Sequence, residues 1–265
     1  MVYKVYGKWV LAGEHTVLTG GRALALPYTL GVLALTHDPH GEPSSLYGLV
    51  SDAIRMGMHP QGSYALQSSI PLGAGLGSSA ALCVAFTRSL GAQDVLATAT
   101  QFEHRFHGTS SGMDVAATYY GRPILFSMQH GARPQNVPFR FTFHDTGLRA
   151  ETKNAIEQVR SKASRDLTHM MESAVSLAEK ACERRTYPDL IESMNLSYHV
   201  FEHWGLIPDV IATKRKALLR QGALAVRLTG AGLGGVLVAL EEVADESCGV
   251  HKKTCACKDV VEFIA

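Results

Sequence analysis

Apolar residues run in short blocks through the first half of the chain and recur at helical spacing in the second. Val2, Val5, Trp9, Val10 and Leu11 form a mostly apolar run that predicts a strand up to Gly13. Ala23 to Leu35 is strongly apolar but interrupted at Pro27-Tyr28 and at Gly31, which predicts two strands meeting at a turn. Asp38 to Ser45 is rich in turn residues and reads as a surface loop, and Leu46 to Met56 as a helix. Ser63 to Ile70 alternates in places and reads as a strand; Ala80 to Leu90 reads as a helix. Asp94 is placed to cap a further helix, Val95 to about His107. Gly108 to Gly112 is a small-residue loop that delivers Met113-Asp114, and Ala116 to Tyr120 continues as a short helix or strand. Ile124 to Phe126 predicts a strand, His130 to Pro138 a loop, and Arg140 to His144 a strand.

From Thr152 the pattern changes. Ala155, Ile156 and Val159, then Leu167, Met170, Met171, Ala174, Val175 and Ala178, recur at the spacing of an amphipathic helix. Leu190 to Trp204 and Val210 to Leu219 do the same, with Pro188 and Pro208 fitting first-turn positions. Ala223 to Leu228 and Val236 to Leu240 predict two strands around the loop Thr229 to Gly235. Strands and a glycine loop therefore precede residue 145, and helices closed by a hairpin follow it. The expected class is α+β, in two parts, 1–145 and 146–265, with no linker-like composition between them.

Composition narrows the function. The chain has 265 residues, 25 Lys and Arg against 24 Asp and Glu, and a net charge of +1. That balance argues against nucleic acid as the main partner, because binding a phosphate backbone wants a cationic excess. No apolar run approaches the ~18–20 residues that cross a bilayer, and the first residues have no signal-peptide core. Five cysteines, an odd number, suit reduced thiols, so the expected compartment is the cytoplasm and no membrane is expected as a partner. Cys248, His251, Cys255 and Cys257 lie close together, but the C-x-C spacing lacks the usual zinc pair, which favours free cysteines near a C-terminal strand.

The stretch that carries most information is Pro71-Leu72-Gly73-Ala74-Gly75-Leu76-Gly77-Ser78-Ser79-Ala80-Ala81. A glycine loop entering a helix leaves unpaired N–H groups at its positive end, which makes a site for an anion such as phosphate. The two serines are placed to cap that helix or to offer hydroxyls to a phosphate or its metal ion. Taken alone, the stretch reads equally as a glycine turn with a good cap. Gly230, Gly232 and Gly235 spell G-x-G-x-x-G, yet a valine-rich run follows, so a hairpin loop packed on another backbone is expected rather than a dinucleotide site. Glu103 and Asp114 form a pair of carboxylates that could divide metal binding and proton abstraction; on periodicity alone they read as a solvated helix residue and a cap. Lys8, taken alone, reads as an exposed lysine beside the turn that holds Glu14 and His15.

The order of these motifs is more specific than any one of them. Gly7-Lys8 with Gly13-Glu14-His15, then Pro71 to Ala81, then Glu103…His107-Gly108…Ser111-Gly112…Asp114, then Leu228-Thr229-Gly230-Ala231-Gly232 together resemble the GHMP small-molecule kinases, over nearly the whole chain. Within that family the pattern looks most like the mevalonate kinase branch. The resemblance implies a two-domain α+β fold, an N-terminal glycine-loop domain and a C-terminal ferredoxin-like domain, with ATP and Mg²⁺ as cofactors. It implies an ATP-dependent transfer to a hydroxyl of a small molecule, with mevalonate as the leading acceptor. Phosphomevalonate, a sugar, or a non-catalytic ligand sensor on the same fold stand as alternatives, in a monomer or homodimer.

By the same resemblance, Asp114 would face the acceptor hydroxyl with Lys8 beside it. Pro71, Gly73, Ala74, Gly75, Leu76, Gly77, Ser78 and Ser79 would hold the ATP phosphates, and Ser79 and Glu103 the metal. Glu14, His15, Gly230, Ala231 and Gly232 would line the acceptor side. Two departures concern that acceptor: Ser110-Ser111-Gly112-Met113-Asp114-Val115 stands where many mevalonate kinases have Pro-Ser-Gly-x-Asp-Asn, and Arg227 where a lysine is usual.

Overall fold

A computed structural model describes residues 1–149, 152–242 and 260–261. Its first part is built on β1 (Val2–Ala12) and the long β2 (Arg22–Asp38), which pair antiparallel along their length. The far edge of β2 is shared: Arg22–Ala25 pair with β4 (Ile124–Ser127), and Leu33–Asp38 with β3 (Ser63–Ser68). β5 (Gly131–Pro134) adds to β4. The second part has a four-stranded antiparallel sheet in the order β7 (Ala225–Thr229), β8 (Val236–Glu241), β6 (Arg140–Asp145), β9 (Val260–Val261).

Burial explains the change of pattern within β2. Ala23 to Leu26 are buried without alternation because both faces are covered: Ala23 and Ala25 join a cluster with Met113, Ala116 and Ala117, and Leu24 and Leu26 join the main core. From Leu33 onward buried and less buried residues alternate, as for a half-covered sheet. The interruption at Pro27 to Gly31 is not a turn between two strands. The register jumps from Tyr6 opposite Val32 to Gly7 opposite Tyr28, so Thr29 to Gly31 form a bulge within one strand. A second correction falls at His130 to Pro138, where Gly131–Pro134 pair with β4 rather than remaining loop.

The helices follow the apolar spacing closely. They are α1 (Leu49–Arg55), α2 (Ser78–Ser89), α3 (Val95–His107), α4 (Met113–Tyr120), α5 (Thr152–Lys162), α6 (Arg165–Arg184), α7 (Tyr187–Trp204) and α8 (Asp209–Arg220). Asp94 caps α3 as expected, its side chain accepting the Ala97 N–H at 2.9 Å. Pro188 lies in the first turn of α7, whereas Pro208 is one step early, at the N-cap of α8. Among the described residues no helix is long and apolar enough to cross a membrane. Cys83 and Cys182 are buried free thiols. Cys248, His251, Cys255 and Cys257 lie outside the described residues.

The seam between the two parts runs along the free edge of β1. An edge strand exposes unpaired backbone groups that must find partners. Here the Lys8 N–H donates to Leu76 O at 2.9 Å, in the glycine loop. The Val10 N–H donates to Thr229 Oγ1, whose hydroxyl returns a bond to Val10 O, both at 2.9 Å. Leu11 O accepts from the Arg227 guanidinium. Beneath this seam the Trp9 ring packs edge-on against Phe141 and Phe143 of β6. One strand edge therefore carries both the glycine loop and the end of β7.

Candidate active site

A cleft of about 750 Å³ opens along this seam. The side chains and loops expected at a site all line it: Lys8, Glu14, His15, Glu103, Asp114, the run Pro71 to Ser79 and the second glycine loop from Gly230 to Gly232. Residues separated by more than 200 positions in sequence are brought together because β7 ends where β1 begins to turn.

The glycine loop is held in a conformation that only glycine tolerates. Gly77 is the N-cap of α2 at φ 74°, and a Cβ there would lie 2.6 Å from Lys8 Cγ. The N-cap of α2 is Gly77, which has no side chain to cap the helix, and Ser78 and Ser79 are the first two helical residues, so neither serine stands at the expected cap position. The second loop is the expected hairpin turn. It joins β7 to β8, and a Cβ on Gly230 would meet Gly75 Cα at 2.8 Å. The two glycine loops thus touch backbone to backbone.

At the cleft floor Lys8 Nζ lies 2.9 Å from Asp114 Oδ2 and donates to Gly75 O at 3.2 Å. Lys8 is 4% exposed, not the solvent-facing lysine that its turn-flanking position suggested. Asp114 sits in the first turn of α4, beyond the N-cap Gly112 at φ 81°. Its Oδ1 is buried and has no hydrogen-bond partner. Glu103, on α3, is 1% exposed, so it is not a solvated helix residue either. Ser110 Oγ donates to Glu103 Oε2 at 2.5 Å, while Oε1 is buried without a partner. Burial, reinforced by the charge of Asp114, pushes the Glu103 carboxyl up to about 8.

The orphaned Oε1 of Glu103, on the wall of this cleft, fits a hard divalent cation, which takes oxygen ligands and would offset the cost of burying the charge. Among the described residues no three His, Cys, Asp or Glu side chains converge. The set therefore suits an ion that completes its shell with phosphate, hydroxyl and water oxygens, as Mg²⁺ does.

The opposite wall is stiffer. Arg227, fully buried, donates to Glu14 Oε1 at 2.7 Å, to Leu228 O at 3.1 Å and to Leu11 O. Burial pushes the Glu14 carboxyl upward, and Arg227 opposes that shift. His15 takes φ 63°, an uncommon region for a non-glycine residue. Its Nε2–H donates to Ala231 O at 2.8 Å, and its ring packs against Phe201 and Trp204. Burial lowers its pKa to about 4, so it is neutral near pH 7, with Nδ1 left as an acceptor.

Several lining residues were not singled out from sequence. Thr152, Lys153 and Ile156 enter from α5, and Tyr47 and Phe106 from the other end. Ser110 was visible only as a departure from a motif. Arg227 was likewise a departure, and nothing in the motif signals that it pairs with Glu14.

Comparison with known proteins agrees with this arrangement. Residues 46–122 match the model for the GHMP kinases N terminal domain, and residues 178–246 that for GHMP kinases C terminal. A mevalonate kinase of Aeropyrum pernix is 29% identical over 205 residues, covering 70% of this chain and 63% of that protein, so the match spans less than two thirds of the relative. The fold is similar to that of the L. major mevalonate kinase crystallised with R-mevalonate, with TM-score 0.74, 24% identity, and coverage of 93% of this chain and 89% of that one. It is equally similar to the Streptococcus pneumoniae phosphomevalonate kinase crystallised with phosphomevalonate and AMPPNP, with TM-score 0.76, 16% identity, and coverage of 93% and 94%. With its two-part α+β fold, its paired glycine loops and both family domains matched in order, the chain belongs to the GHMP kinase family.

Proposed function

We propose that the chain is an ATP-dependent small-molecule kinase that transfers the γ-phosphate to a hydroxyl, with mevalonate as acceptor and phosphomevalonate as product. The observation that carries the reading is the Lys8–Asp114 pair, 2.9 Å apart, directly beneath the glycine loop that leads into α2. Phosphoryl transfer needs positioning and charge neutralisation more than covalent catalysis. The N–H groups of Gly73 to Ser79 hold the phosphates, as anions are held at a helix start. Glu103 and the Ser79 hydroxyl hold Mg²⁺, which when bound neutralises phosphate charge.

Asp114 accepts the hydrogen bond of the acceptor hydroxyl through Oδ1, the oxygen that no protein group uses. Its main task is orientation, with the proton leaving late in a loose transition state. Lys8 holds Oδ2 and offsets the charge that develops on the hydroxyl oxygen. Glu14, His15 and Gly230 to Gly232 form the acceptor wall. The domain division belongs to the same proposal: 1–145 carries the phosphate loop and 146–265 closes the cleft, and β6, the last strand of the first stretch, is paired in the second sheet.

Mevalonate is preferred as acceptor because the relative matched by sequence carries that name. The test is a coupled ADP-release assay with mevalonate, phosphomevalonate, galactose and homoserine. Mevalonate is expected to give the highest kcat/KM. A higher value for another acceptor moves the assignment within the family; nucleotide binding without turnover on any acceptor would support a ligand sensor.

A further inference from the structure

We propose that Ser110 is a positioning residue whose hydroxyl sets the cation-binding edge of Glu103 and, through Gly112, the placement of Asp114. The inference rests on reading Glu103 as the metal carboxylate. Glu103 is buried, and among the described residues no cation pairs with it, since Lys8 is committed to Asp114. The terminal torsion of a glutamate is broad and two-fold, so packing alone leaves the carboxylate plane loosely set. Ser110 removes that freedom. Its Oγ donates to Oε2 at 2.5 Å, which leaves Oε1 as the buried oxygen without a partner.

The same Oγ accepts the Gly112 N–H at 3.1 Å. Gly112 is the N-cap of α4, and Asp114 lies in the first turn of that helix. The Ser110 N–H donates to His104 Nδ1 at 3.0 Å, which ties the loop back to α3. One hydroxyl therefore donates to one carboxylate and accepts from the backbone that carries the other. Serine and threonine supply both a donor and an acceptor face. Groups that orient a metal ligand from behind affect cation affinity strongly, typically about 10- to 100-fold on mutation.

The experiment measures Mn²⁺ binding to the purified full-length chain by water-proton relaxation, with a non-hydrolysable ATP analogue present, alongside kcat and KM. Ser110→Ala is expected to weaken Mn²⁺ by about 10- to 100-fold and to lower kcat, while leaving the KM for the acceptor near its original value. Ser110→Thr is expected to restore Mn²⁺ affinity. Ser110→Gly replaces the alanine variant if that variant fails to fold. Unchanged Mn²⁺ binding in Ser110→Ala, or failure of threonine to rescue, overturns the inference. Glu103→Gln separates the two readings: if it abolishes Mn²⁺ binding and Ser110→Ala does not, only the role of Ser110 falls. If neither variant affects Mn²⁺, the metal assignment of Glu103 falls with it.

Discussion

Two ion pairs flank the same cleft and are built for different ends. Lys8–Asp114 opens onto the cleft: Asp114 is 27% exposed at its side chain, and its Oδ1 has no partner. Arg227–Glu14 is enclosed: the two side chains are 0% and 5% exposed, the guanidinium also donates to Leu11 O and Leu228 O, and Glu14 Oε2 is buried without a hydrogen-bond partner. Lysine offers a single charged centre that can serve a carboxylate and a carbonyl while a ligand approaches. Arginine offers a planar fork that ties several fixed acceptors at once. The first arrangement keeps hydrogen-bonding capacity available for a substrate. The second joins β7 to the end of β1 and holds the wall against which a substrate would rest.

The comparison breaks if the two pairs respond alike to mutation. The largest effect is expected at the open pair. Asp114→Asn keeps the shape but removes the charge, and turnover in the ADP-release assay should fall by about 10³-fold. Nucleotide binding, followed by titration calorimetry, should persist. At the enclosed pair, Arg227→Leu strands the Glu14 carboxylate in the core, and urea unfolding should register a loss of about 3–5 kcal/mol. A variant of Arg227 that stays fully stable but loses turnover would place this pair in the chemistry and erase the distinction.

A smaller effect sharpens the picture of the enclosed wall. His15 faces Arg227 and Glu14 and is enclosed by Phe201 and Trp204, and burial lowers its pKa from 6.5 to about 4. Between those values the unfolded chain binds a proton at His15 that the folded chain does not. Stability attributable to His15 is therefore present above pH 6.5 and declines as pH falls toward 4. His15→Gln should flatten that part of the stability–pH curve in denaturant titrations, and an unchanged slope would assign it to other groups.

Much of the fold was legible because its signals are local. The spacing of Leu167, Met170, Met171, Ala174 and Val175 located α6, and Asp94 marked the start of α3. The interruption in β2 was misread for a reason that is not local. A proline and a glycine within an apolar run look like a turn, and only pairing with β1 shows that three residues are absorbed as a bulge. The brief strand β5 was missed because its residues have little apolar pattern of their own and β4 recruits them. At the site, residue types and order were legible through resemblance to a family. Burial was not: Lys8 and Glu103 look solvated in one dimension, and both lie beneath other elements in three.

The sequence by itself determined most of the helices and strands, and which glycines and carboxylates were available for chemistry, because those depend on neighbours a few residues apart. Only the tertiary structure decided how closely the two glycine loops approach, Gly230 against Gly75. It alone paired Lys8 with Asp114 and Arg227 with Glu14, and gave Ser110 its place between two carboxylates. Those outcomes depend on distance, burial and desolvation between residues far apart in the chain, and they arise where the free edge of β1 meets the glycine loop and the end of β7.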